Sequence, residues 1–491
     1  MGPFGNLSMQ DVEQLFGGLF KSFGVSDAAN IIPQDLEPEA YITLYRESDP
    51  TESRLLKTIP KIPATSITHE FNKITAYSGN SQTGFVSETG TVANSKPTID
   101  RVPLTIRLMA DRVQVTGLSN LQRSNRAFGL DNLVEIVHAT TRLNFMRKMN
   151  QQIYKSDTRD TYASTLLRFK GIYEQIDTGT SGSAVDHIVD MQGYKVTASF
   201  LREKAREITE LYGTINVTYV PPICMEQFEK ELDPAERLIM PSMQPVPMLQ
   251  RVPGFWTQSG FVKFEVDNSL SAQHYRGAPP TAQSGAPSAP TVNTVAHTAD
   301  ASSLWFADDE ARVSYKVTAV RDEVEGAATE VSTADTVAAG DKVTFRIIPP
   351  SGDPVDSFKI YRGVYGTSKF EFIQEVAWDG ASVQPATYQT FTDLNTRIPG
   401  TTEIYGMNMR STALNSLSQG PYDQVVASLD TDNRPLAGNT ISLAVLGPFM
   451  ATFPLAKTSF LAADDLIFTA LTPEVSVPTQ NFILINVGTR E

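Results

Sequence analysis

Apolar residues recur along the chain with two different periods, and the period tells which element each stretch builds. Val102, Leu104, Ile106 and Leu108 fall at every second residue, and Val113 and Val115 resume the pattern. That is strand periodicity. Ile67, His69 and Phe71 also alternate and predict a partner strand. Between the two runs, positions 78–99 are rich in Ser, Gly, Asn and Thr, with Phe85, Val86 and Val92 as anchors. The segment 64–116 therefore reads as a long two-stranded arm with a polar, Gly-rich tip. An isolated hairpin is at best marginally stable in water. Such an arm must lie on something, either its own domain or a neighbouring subunit.

A helical period takes over at 132–156. Val134, Val137, Thr141, Phe145, Met149 and Ile153 form a stripe at steps of three and four. Asn132 suits the N-cap, with Glu135 at capping-box spacing. At 1.5 Å per residue the helix spans roughly 35–40 Å. Arg142, Arg147, Lys148 and Lys155 give it a basic side, which fits a solvated face as well as a specific partner. Near the start, Val12, Leu15, Phe16, Leu19, Phe20 and Phe23 also keep helical spacing, interrupted by Gly17 and Gly18. Lys21 is the sole basic residue there, so a docking arm is favoured over a membrane-surface helix.

Residues 197–268 mix both periods. A helix is expected over 199–211, a strand through Val217 and Tyr219, a short helix at 224–232, and a strand through Phe261, Val262, Phe264 and Val266. Positions 271–290 have the Ala, Pro, Ser and Gly composition of a linker. Strand-like runs around 312–320, 342–348, 357–362, 370–376 and 388–392 follow, separated by turn clusters. Their spacing fits a β-sandwich of about 100 residues. Beyond 400, Ile441, Leu443 and Val445 alternate, then Leu466, Phe468 and Ala470, and Phe482, Leu484 and Ile485 lead a last strand. The sandwich thus interrupts a larger α+β domain or joins two halves that flank it.

The chain has 491 residues, 41% hydrophobic and 20% charged, which excludes wholesale disorder. Length alone suggests two to four units at about 150 residues each. Net charge is −14, a poor match for a dedicated nucleic-acid binder, which needs clustered Lys and Arg. Positions 287–398 hold sixteen acidic and nine basic residues, net −7, so half of the excess lies on less than a quarter of the chain. Cys224 is the sole cysteine, which excludes an intrachain disulfide or a cysteine zinc cluster. No signal-peptide pattern or long apolar run stands out.

Catalytic signatures are scarce. There is no phosphate-loop motif, no strand-linked GxGxxG and no HExxH. His69, His138, His187, His274 and His297 lack ligand spacing. Asp308, Asp309 and Glu310 read as a solvated turn, because calcium needs more oxygen ligands at alternating spacing. Cys224 lacks an identifiable activating partner. No enzyme activity, cofactor or metal is expected.

The order of these elements resembles the major capsid proteins of tailed bacteriophages, the Hong-Kong-97-like fold. The resemblance is carried by GFVSETGTVANSKPTIDRVPLTIRLMADRVQVTGLSNL at 84–121, with Phe85-Val86, Glu88, the 98–101 region and Val113-Gln-Val115-Thr116 at the family's positions. It implies an N-terminal arm and lead-in (1–63), an extended hairpin loop (64–116), and a spine helix with peripheral domain (117–196). An axial domain (197–270), a linker (271–290) and an axial return (399–435) follow, and the peripheral strands close the chain (436–491). The extra segment 291–398, through YKVTAVRDEVEGAATEVS and DSFKIYRG, resembles an immunoglobulin or fibronectin-III module.

What the resemblance implies is assembly. Subunits would form hexameric and pentameric capsomers of an icosahedral shell around double-stranded DNA, held by containment without sequence recognition. Phe85, Val86, Glu88, Val92, Lys96 and Arg101 are the expected inter-subunit contacts. The family often carries a scaffolding segment ahead of the arm. Only 1–63 precedes the hairpin here, which implies a separate scaffolding protein or a processed chain. Portal and decoration or cement proteins are further expected partners, with no membrane. The expected location is the virion, after assembly in the host cytoplasm. An encapsulin-type nanocompartment shares the fold. A secreted carbohydrate-binding protein or hydrolase with an accessory module is the rival of another class.

Overall fold

In the computed structural model, the described residues are 53–76, 88, 98–116, 133–156, 158, 168–183, 185–211, 213–231, 254–258, 260–270, 286–321, 324–378, 388–409, 440–455 and 462–490. Helices and strands are mixed, and strands dominate. The arm at 1–52, most of the hairpin tip, Asn132 and most of the linker lie outside these residues. No described helix is long and apolar enough to cross a membrane.

Two sheets form the body. The first has four strands in the order β1 (Lys61–Ala64), β17 (Ile441–Pro454), β18 (Ala462–Val475) and β4 (Arg107–Thr116). The long helix α2 (Leu133–Lys155) lies on its inner face, where Phe145, Met149 and Ile153 of the predicted stripe are buried with Val113, Ile467 and Leu471. Two ties reinforce this packing: His138 Nε2 to Asp465 at 2.8 Å, and Arg142 to Thr452 at 2.8 Å. Helix α3 (Ile172–Gly179) buries Ile172 and Ile176 in the same cluster.

The second sheet has six strands. Their order is β5 (Ile188–Asp190), β19 (Phe482–Val487), β16 (Thr402–Met407), β6 (Val217–Val220), β8 (Gly260–Val266) and β7 (Gly254–Thr257). Helix α4 (Ala198–Glu210) starts where the Thr197 side chain accepts from Phe200 N–H. Leu201, Ala205 and Ile208 of α4 share a core with Cys224 and Phe228 of α5 (Pro222–Glu231). The expected C-terminal group 436–491 is divided: β17 and β18 belong to the first sheet, while β19 lies between β5 and β16 of the second. Gly406 explains part of this placement, because any Cβ there would meet the Phe482 ring at 2.0 Å.

A short helix α1 (Arg54–Thr58) and one carboxylate join the two sheets to α2. Asp267 is fully buried. It accepts from Leu55 N–H at 3.1 Å, Ser269 N–H at 2.9 Å, Tyr154 O–H at 3.2 Å and the Asn150 amide at 3.0 Å. Asn150 in turn accepts from Leu56 N–H at 2.9 Å. Burial, and then the charge on Asp267, pushes the Tyr154 phenol well up.

Residues 291–393 form two further antiparallel sheets. One has the order β11 (Val324–Ser332), β10 (Val313–Arg321), β13 (Ser357–Val364), β14 (Glu371–Ala377). The other is β15 (Gln389–Asp393), β12 (Asp341–Ile348), β9 (Thr291–Ala299). They share one apolar cluster, with Tyr315 and Phe345 rings 5.0 Å apart across it. Strands β9 and β11 lie outside the individual runs that stand out in the sequence, because Thr, Ala and Glu outnumber large apolar residues in them.

The turn at 308–310 departs from the expected solvated state. Asp309 is buried and pairs with Arg490 of the body, and Asn395 donates to it at 2.9 Å. Arg362 donates to Asn395 and to Asp393, both at 2.6 Å, and its guanidinium sits over Trp305 at 4.6 Å. Asn486 adds a second tie, donating to Thr396 O at 3.0 Å. The 3-10 turn Asn268–Leu270 packs on β16, so the chain ends flanking this unit meet on the body.

Replacing Asp267 by Ala strands several buried donors, each costing about 1–3 kcal/mol. Denaturant unfolding of Asp267→Ala is expected to show a loss of about 3 kcal/mol or more, seen as a lower midpoint at unchanged slope. Asp267→Asn, which keeps an acceptor, is expected to lose less.

Candidate assembly interface

Strand β2 (Thr68–Ala76) pairs antiparallel with β3 (Thr98–Thr105), and these two make a sheet of their own. The register sets Thr68 against Thr105, His69 against Leu104 and Phe71 against Val102. Alternation then sorts the ribbon into two faces. Thr68, Glu70, Asn72, Arg101, Pro103 and Thr105 are exposed on one. His69, Phe71, Val102 and Leu104 occupy the other, which is buried at Leu104 and half-buried at Phe71 and Val102. Pro103 has no N–H to offer, which blunts one edge against stray pairing.

The ribbon roots on β18 of the first sheet. His69 Nε2 meets Glu474 Oε2 at 2.8 Å, and Ser442 reaches the same carboxylate at 3.3 Å. Ile106 N–H donates to Ile67 O at 2.8 Å and closes the root. There the expected single strand divides. The ribbon strand ends at Thr105, and β4 begins at Arg107 with β18 as its partner. The alternation runs on unbroken through Ile106 and Leu108, so the change of partner leaves no trace in the pattern. The root of the arm thus docks on its own domain.

Of the expected contact residues, Arg101 lies on β3, exposed, and pairs with Glu70 at 3.1 Å. Glu88 is exposed in a turn. Phe85, Val86, Val92 and Lys96 lie outside the described residues. Sequence reasoning missed Leu104 as the root's apolar plug, and His69–Glu474 as its polar tie. Both were visible as types, but the pairing joins positions 405 residues apart.

Other groups with chemical potential are spoken for. Burial pushes the Cys224 thiol up to about 12. His187 is held by Asn481 O at 2.8 Å, and burial lowers its pKa. Among the described residues, no group of three or more His, Cys, Asp or Glu could hold a metal ion.

No protein-family model matches the chain, and no curated protein matches it. Solved structures similar to it include one from Gordonia phage Cozz, at 8% identity and a TM-score of 0.42, covering 98% of this chain and 96% of that one. Another is the capsid of an empty GTA particle, at 10% identity and a TM-score of 0.44, covering 94% and 97%. A third is the holo-SrpI encapsulin complex from Synechococcus elongatus PCC 7942, at 9% identity and a TM-score of 0.32, covering 95% and 96%.

Leu104→Ala removes the plug at the root. A buried Leu-to-Ala change costs about 2–5 kcal/mol, and here it should act locally. Trypsin cleavage at Lys73 and Arg101 is expected to accelerate at least tenfold, with cleavage within α2 unchanged. Cys224 is expected to ignore a thiol reagent at pH 8 in the folded protein and to react fully after denaturation.

Proposed function

We propose that this chain is a structural shell protein, the major capsid protein of a tailed bacteriophage. The observation that carries the reading is the ribbon: two strands that among the described residues pair with no third, anchored at one end to the body and exposed along the polar face. Such a ribbon gains stability by lying on another copy. Repeating that one contact around closed symmetry completes a shell. The body supplies what the reading needs, a long helix backed by a sheet and a second sheet with its own helices. In this proposal the first sheet and α2 are the peripheral domain, the six-stranded sheet is the axial domain, and Phe85, Val86, Glu88, Val92, Lys96 and Arg101 contact the neighbour.

The remaining parts follow from the same reading. Residues 291–398 are an inserted immunoglobulin-like sandwich facing outward, since its net negative charge is repelled by enclosed phosphate. DNA is contained without recognition. A separate scaffold, a portal and decoration proteins are the expected partners, in the virion and during assembly in the host cytoplasm. No catalysis is required.

Deleting 78–97 should leave a folded, soluble chain that forms no shells. Sedimentation velocity and negative-stain imaging test this, and normal shells from the deletion would contradict the proposal. Replacing 291–398 by a short Gly-Ser linker should keep the fold and the shell, because the flanking ends meet on the body and loop closure is cheap. Particle images would then lack outer density, and loss of inner density instead would reverse the outward placement.

A further inference from the structure

The four-stranded sheet is covered unequally on its outer face. Near the ribbon root, Ser442, Ala444, Thr472 and Glu474 are buried. Farther along, the register sets Ala110, Phe468 and Ala451 side by side, and then Arg112, Leu466 and Phe453. Leu108 is 63% exposed and Phe453 is 62% exposed, with the Phe453 and Phe468 rings 6.4 Å apart. Among the described residues, nothing packs over this patch in an apolar cluster. Three strands at about 4.8 Å spacing make it roughly 10 Å wide, and five residues along a strand make it about 15 Å long.

We infer that the segment 12–23, amphipathic in its sequence pattern, docks on this face. Six large apolar residues of that segment share one helical stripe. A twelve-residue helix is about 18 Å long and 10–12 Å across, so stripe and patch match in size. The segment is also within reach. It precedes α1, which leads into β1, the edge strand of this same sheet. The intervening residues 24–52 span up to about 100 Å when extended. The ribbon tip is the weaker occupant, because Phe85, Val86 and Val92 are its few large apolar residues in a polar stretch. An apolar sheet face left open to water invites aggregation, which a built-in cover prevents. The docking goes beyond the shell reading and does not depend on it.

The test places a photoreactive benzoylphenylalanine at Phe453 of the full-length chain, with a second preparation carrying it at Leu108. Both sites are exposed enough to accept it. After irradiation and digestion, mass spectrometry is expected to find the main adduct within 12–23. That yield should fall at least tenfold in the double variant Phe16→Asp, Phe20→Asp, at unchanged circular dichroism. Adducts to 77–97 instead, or to no peptide of this chain, would overturn the docking. A chain that forms no shells yet gives the 12–23 adduct supports docking and counts against the shell reading alone.

Discussion

The buried carboxylate of Asp267 ties α1, α2 and the turn after β8 together inside the apolar core that they share. A charge with no exposed surface must be met by donors, and here they come from α1, α2 and the turn after β8. Asn150 extends the constraint by accepting from α1 while donating to Asp267. The outcome is a body in which the two sheets hold fixed positions relative to the long helix. Rigidity matters for the proposed assembly, in which the ribbon would act as a cantilever whose root must not give.

The root uses different physics from the arm. Leu104 and the His69–Glu474 pair fix the first residues of the ribbon on β18. Beyond them the polar face carries Glu70, Asn72 and Arg101, which water already satisfies. A surface pair such as Arg101–Glu70 contributes little by itself. In the proposed shell, the energy for lying on another copy therefore comes from apolar contacts summed over many equivalent copies. The two-sheet unit is mounted in a contrasting way. Asp309, Arg490 and Asn486 join it to the body through charge and amide hydrogen bonds, so it is held in place while each part keeps its own core.

Local periodicity was enough to read much of this fold. Phe145, Met149 and Ile153 fall at helical spacing and are buried. Leu201, Ala205 and Ile208 behave the same way in α4. What could not be read was partner choice. The run from Val102 to Leu108 keeps one period while the strand changes sheets at Ile106, because alternation records a face and not the neighbour across it. Asp267 looks like any acid in a turn, and its donors lie 113 and 212 residues away along the chain. Asp309 looked solvated because Arg490 stands 181 residues off. At the candidate interface, the ribbon was legible from its alternation, whereas the His69–Glu474 tie was not.

Hydrogen exchange on the ribbon tests the central claim most directly. Amides of 68–76 and 98–105 would be followed by mass spectrometry in assembled particles and in subunits dissociated from them. The account predicts strong added protection along the ribbon and its tip in the particle, with the core of α2 equally protected in both. Equal exchange of the ribbon in both states would mean that no neighbouring copy covers it, and would contradict the account.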